Sequence, residues 1–124
     1  MASLSKILVA IQHELTLERI NEVLHPMPAE CHFLAPDEGL DQALRTRGPF
    51  QLVLASANVG RESALQSLAR ARQSGDSTPF LVLGHSQGES MRVFVSDGEG
   101  VVLSSRVLTA PNLARLVRDF IGTR

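Results

Sequence analysis

The sequence predicts an α/β domain in which a parallel five-stranded sheet lies between layers of helices. Three observations carry this. Short apolar runs recur at Lys6–Ile11, Phe50–Ser56 and Phe80–Leu83, each broken by a polar or glycine-containing turn; unbroken apolar runs of that length fit strands buried on both faces. Between them lie segments whose apolar residues fall three and four apart, the spacing of an amphipathic helix. The two patterns alternate five times along the chain, and right-handed crossovers then place the strands in parallel.

The first strand is Lys6–Ile11, stopped by Gln12-His13-Glu14. A helix follows, with Leu17, Ile20, Val23 and Leu24 on one face and Glu18, Arg19 and Glu22 outside. His25-Pro26 and Pro28 end it, because proline cannot continue a helical hydrogen-bond ladder. Glu30–Ala35 alternates as a shorter outer strand. Asp37 is positioned to cap a second helix carrying Leu40, Ala43 and Leu44, which closes before Gly48-Pro49. Phe50–Ser56 is the central strand, breaking off into Ala57-Asn58-Val59-Gly60. The third helix runs from about Glu62 to Gln73 on a stripe of Ala64, Leu65, Leu68 and Ala69, and Ser74–Ser77 turns the chain into the fourth strand at Phe80.

Residues 90–96 are read as a short helix, although Val93, Phe94 and Val95 favour strand. After Asp97-Gly98-Glu99-Gly100 the fifth strand is expected at Val101–Ser105. The last helix starts at Thr109 as N-cap with Pro111 in the first turn, and Leu113, Leu116, Val117, Phe120 and Ile121 form its apolar face. The simplest assembly is a (βα)5 flavodoxin-like three-layer sandwich, a parallel five-stranded sheet in the order 2-1-3-4-5. All of residues 1–124 belong to one domain, a length sufficient to bury a core.

Composition narrows the function classes. The formal net charge is −1, with 12 Lys and Arg against 13 Asp and Glu, so no basic excess draws the domain to a nucleic-acid backbone. Tyr and Trp are absent, which removes the side chains best suited to stacking on bases or a flavin ring. No apolar run approaches a membrane span or a signal-peptide core. The single Cys31 excludes an internal disulfide and suits a reducing cytoplasm; as a small strand residue it is expected to be buried and inert. His13, His25, His32 and His85 lack metal-ligand spacing. Arg45, Arg47, Arg61, Arg70 and Arg72 read as solvated helix faces.

The order and spacing of Lys6-Ile7-Leu8-Val9, Asp37-Glu38-Gly39 with Ala43-Leu44, Gln51-Leu52-Val53-Leu54 and Thr78-Pro79 resemble the receiver (CheY-like) domain of two-component response regulators over nearly the whole chain. The resemblance implies a reactive pocket at the strand ends, and there the sequence departs from the family. The acid-pair positions fall on Ile11 and Gln12, the phosphoacceptor on Ser56 and the hydroxyl position on Gly84. The lysine position falls on Ser105 or Arg106, with Val107 where a proline usually follows. Magnesium needs several hard oxygen ligands, and an acyl phosphate needs a carboxylate acceptor. Ile11 and Gln12 supply no carboxylate, and a serine without a base is a poor nucleophile.

The expectation is a degenerate pseudo-receiver that is no enzyme, carries no metal or cofactor, and acts by contacting proteins of a signalling pathway. The resemblance places that contact on the fourth helix, fifth strand and fifth helix, a surface also used for homodimers, here represented by Arg106, Val107, Leu108, Arg115 and Arg118. The competing reading is a small hydrolase, since Gly84-His85-Ser86-Gln87-Gly88 matches the Gly-x-Ser-x-Gly nucleophile elbow and follows a strand. In that fold the histidine follows the serine in the chain, and no histidine follows His85. Glu14, Asp37 and Glu38 are the acids nearest the expected pocket; helix-start charges complementing the backbone dipole account for them.

Overall fold

The computed structural model describes residues 5–11, 14–35, 37–59, 62–97 and 104–121. In chain order these form β1 (Ser5–Ala10), α1 (Glu14–Leu24), β2 (Ala29–Phe33), α2 (Leu40–Arg47), β3 (Leu52–Ser56), β4 (Asn58–Val59), β5 (Glu62–Ser63), α3 (Ala64–Gln73), β6 (Phe80–Gln87), β7 (Ser90–Ser96), β8 (Ser104–Thr109) and α4 (Ala110–Ile121). The main sheet has six strands in the order β2-β1-β3-β6-β7-β8, and β4 and β5 form a separate two-stranded ribbon.

The first four strands of that order follow the sequence expectation. β1 pairs in parallel with β2 and β3, and β3 in parallel with β6. The three inner strands of this half bury both faces, so alternate residues enter different cores. Ile7, Val9, Leu52, Leu54, Leu81 and Leu83 face Ile20, Val23 and Leu24 of α1 and Leu113, Leu116, Val117 and Ile121 of α4. Leu8, Ala10, Val53, Ala55, Phe80 and Val82 face Leu40 and Ala43 of α2 and Ala64 and Leu68 of α3. Burying each of the larger aliphatic side chains is worth roughly 1.5–3 kcal/mol, enough to override the modest strand propensities of the alanines.

The second half corrects the expectation. The all-parallel sheet of five strands is replaced by a mixed sheet of six, because residues 90–96 form a strand rather than a helix. β7 pairs antiparallel with β6, and β8 pairs antiparallel with β7. The reason lies in the two-residue period: Met91, Val93 and Val95 are buried while Arg92 is exposed. A helix rotates about 100° per residue and would place Val93 opposite Met91 and Val95, whereas a strand puts all three on one face. Gly88 supplies the turn. It has φ +60, and a Cβ at this position would meet nothing within 4 Å; with Glu89 it links Gln87 to its partner Ser90. A glycine of positive φ at the first central position is the signature of a type II′ hairpin loop.

The expected fifth strand at Val101–Ser105 also moves. The described strand is Ser104–Thr109, and residues 101–103 lie outside the described residues. Asp37 does not cap the second helix. That helix begins at Leu40 with Gly39 as N-cap and no side-chain cap hydrogen bond. α3 begins at Ala64, after the β4–β5 ribbon has taken up Glu62 and Ser63. Among the described residues no helix is long and apolar enough to cross a membrane.

Candidate functional site

In open α/β sheets ligands gather beyond the carboxyl ends of the parallel strands. Here Ala10 is paired with Ala55, and Ser56 with Leu83, so the chain brings Ile11, Ser56 and Gly84 to the same end of three adjacent strands. Ile11 is buried in the α1/α4 core and offers nothing to a ligand. Ser56 is half-buried at the end of β3. Gly84 lies where the β6–β7 register shifts between Leu83 and Ser86, a bulge, and a Cβ there would meet the Phe94 ring at 3.4 Å. Gln12 and His13 lie outside the described residues.

Ser105 and Arg106 do not join this group. β7 stands between β6 and β8, so β8 is two strand spacings from β6, roughly 9–10 Å. Both residues are exposed on the outermost strand. The family positions that were expected to converge therefore separate into an inner group without a carboxylate and an outer pair on the sheet edge.

The nearby acids do not assemble into a ligand set among the described residues. Glu14 and Asp37 are exposed. Glu38 Oε1 accepts hydrogen bonds from Arg47 Nη1 at 2.7 Å and from the Ala35 backbone N–H at 3.1 Å, which makes it a tie between α2 and the loop after β2. Among the described residues no three His, Cys, Asp or Glu side chains converge as metal ligands would.

The elbow-like motif is not in the setting its chemistry needs. A nucleophile elbow is a tight turn between a strand and a helix. Residues 84–87 instead continue β6, with Ser86 paired to Met91, and Gly88 opens the hairpin. Of the other singled-out residues, His32 Nε2 contacts Glu30 Oε1 at 2.9 Å and its ring meets Phe50 edge-on at 5.8 Å. Cys31 is half-buried, and burial pushes its thiol pKa up, away from a reactive thiolate.

The arginines expected as a solvated face are largely engaged in holding the fold. Arg47 also donates to the Phe33 carbonyl at 3.2 Å. Arg70 Nε bonds Asp41 Oδ2 at 2.6 Å, at the edge of a groove of about 210 Å³ between α2 and α3 that is also lined by Leu44, Arg45, Ala71, Ser74 and Asp76. Arg72 is the most committed. It lies over the Phe80 ring at 5.7 Å, and donates to the Asp76 carbonyl at 2.8 Å and to Ser96 Oγ at 3.2 Å. Burial lowers its pKa, against the opposing pull of Asp76 and Asp97. Arg61 lies outside the described residues.

The expected interaction surface survives only in part. Its fourth helix does not exist among the described residues, because that stretch of chain is β7. What remains is β8 with α4. Leu108 packs against the α1/α4 core, so Ser104, Arg106 and Leu108 share that side of the sheet, and Ser105, Val107 and Thr109 share the other. Val107 is 58% exposed, the most exposed of the large apolar side chains described. Arg115 and Arg118 are exposed on α4. Sequence reasoning missed Arg92, which is directly opposite Val107 and donates to Ser105 Oγ at 2.8 Å. The alternation of Met91, Val93 and Val95 with Arg92 was the signal that marks it as outward-facing.

No family model matches the chain, and no curated protein matches it. Among solved structures, one similar chain is the signal receiver domain of an HD domain-containing protein from Pseudomonas fluorescens Pf-5. The two are 27% identical with a TM-score of 0.56, over 68% of this chain and 66% of that one, slightly under two thirds of its length. The chain thus has a receiver-like α/β fold, with a mixed six-stranded sheet in place of five parallel strands.

Proposed function

We propose that this chain is an atypical, degenerate receiver: a signalling module of a two-component-type pathway that works in the cytoplasm without phosphorylation on aspartate and without catalytic turnover, by contacting a partner protein. The observation that carries this reading is the chemistry at the strand ends. On a receiver-like fold, Ser56 ends β3 next to Leu83, with Ile11 turned into the core and Gly84 at a bulge. Among the described residues there, a transferred phosphoryl group would meet neither a carboxylate acceptor nor the oxygen ligands that hold magnesium.

With the pocket silent, the surface left for a partner is the outer strand β8, five of whose six residues are exposed, and the helix that follows it, where Arg115 and Arg118 are exposed. These elements are the ones through which the module is read by its partner. The test is incubation with Mg²⁺ and acetyl phosphate followed by intact-protein mass spectrometry. The expected result is an unchanged mass. A hydroxylamine-sensitive gain of one phosphoryl group would overturn the reading, because that lability identifies an acyl phosphate.

A further inference from the structure

The two edges of the main sheet differ. β2 is guarded: its Glu30 and His32 side chains are tied to each other at 2.9 Å, and the Phe33 carbonyl is already bonded to Arg47. Charged side chains and occupied backbone groups are the ordinary devices that keep an edge from pairing with another chain. At β8, among the described residues, the only strand partner is β7, and the Arg92 side chain that reaches β8 bonds the Ser105 hydroxyl rather than the backbone. β8 has six residues and five of them are exposed. In an antiparallel strand alternate residues direct their N–H and C=O groups to opposite sides, so half of β8 presents its backbone groups outward.

We propose that β8 is a docking edge that accepts an extended, acidic segment of a partner protein as a seventh strand. This rests on the reading of the chain as a protein-interaction module and names how the partner is held. The charge of the edge selects the occupant. β7 and β8 together carry two arginines, Arg92 and Arg106, and no Asp or Glu. Arg106 lies on one side of the sheet and Arg92, behind Val107, on the other. An added strand whose acids lie beside Arg106 and whose β-branched residues lie beside Val107 satisfies both sides, since successive side chains alternate.

The same charge pattern disfavours a second copy of this chain at the edge. Antiparallel two-fold pairing centred on Arg106 sets the two guanidinium groups directly opposite. Centring it on Val107 makes them diagonal neighbours, about 7–8 Å apart across the two strands, still like charge against like charge.

The test uses fluorescein-labelled octapeptides that alternate Glu with Val, Ile or Thr, titrated with the full chain and followed by anisotropy. Matched peptides carry Lys in place of Glu, or methyl groups on alternate backbone nitrogens. Saturable binding of the acidic peptides is expected, weakened about tenfold by Arg106→Glu and lost in the lysine and methylated peptides. The methylated peptides probe the backbone ladder without altering the protein, so their result is independent of how any variant folds. Absence of saturable binding up to about 1 mM, binding indifferent to methylation, or a β8-dependent homodimer in light scattering would each overturn the proposal. These outcomes are separate from the phosphorylation test, which can succeed or fail whichever way the peptides behave.

Discussion

Truncating Val93 to alanine separates the observed hairpin from the helix that residues 90–96 suggest in isolation. Val93 is fully buried in the α1/α4 core, on the same strand face as Met91 and Val95. Losing two buried methyl groups costs about 1.6 kcal/mol in transfer free energy, and incomplete collapse of the space left behind adds a cavity term, for a total of roughly 2–3 kcal/mol. For a domain of this size such a loss lowers Tm by roughly 8–12 °C. Arg92→Ala, at the adjacent exposed position, is the control and is expected to stay within about 0.5 kcal/mol of the wild type. Urea unfolding monitored by far-UV circular dichroism measures both, with an unchanged slope confirming that the two variants unfold over the same surface. The reasoning fails if Val93→Ala is neutral, or if Arg92→Ala costs as much as Val93→Ala.

Other parts of the fold make independent forecasts. Gly88→Val meets no neighbour within 4 Å of its Cβ but must adopt φ near +60, so it is expected to cost about 1–2 kcal/mol by urea unfolding, from backbone conformation alone. Ser67 is fully buried on α3 and its hydroxyl has no hydrogen-bond partner among the described residues; Ser67→Ala is expected to raise stability by about 0.5–1.5 kcal/mol, through relief of that group and better helix propensity. Burial raises the folded-state pKa of Cys31 above its unfolded value, so its contribution to stability is complete below the unfolded thiol pKa and is lost as pH rises through the folded one. The same shift predicts slow alkylation by iodoacetamide at mildly alkaline pH in buffer and fast alkylation in denaturing urea, read by mass spectrometry; equal rates would contradict the assignment.

How far the sequence discloses this structure depends on which physics decides each segment. Ile7–Ala10, Leu52–Ala55 and Phe80–Leu83 are legible because a strand buried on both faces has to be apolar at every position. α4 is legible because Leu113, Leu116, Val117 and Ile121 all fall on one stripe. Residues 84–96 are harder. Gly88 belongs at once to a motif suggestive of an elbow and to a hairpin loop, and Gly88-Glu89 is less distinctive than the Asn-Gly that marks many such turns. Short runs such as Val93-Phe94-Val95 suit a buried strand or a helix until their partners are known.

The site divides in the same way. The absence of acids at Ile11 and Ser56 is a matter of residue type and can be read directly. The displacement of Ser105 and Arg106 to the outermost strand is not, because it follows from β7 inserting between β6 and β8, a tertiary pairing that the two-residue period of Met91, Val93 and Val95 does not by itself specify. That insertion also removes the helix that would have completed the expected contact surface. It leaves in its place an exposed edge that carries Val107.

The most direct test of the account is a ¹⁵N-resolved NMR titration of the chain with beryllofluoride and Mg²⁺, which together mimic an acyl phosphate in an acid pocket. With Ile11, Ser56 and Gly84 at the strand ends, the amide resonances of these residues are expected to remain where they are. Saturable shifts centred on Ser56 and its neighbours would show a working phosphoryl site and contradict the central claim.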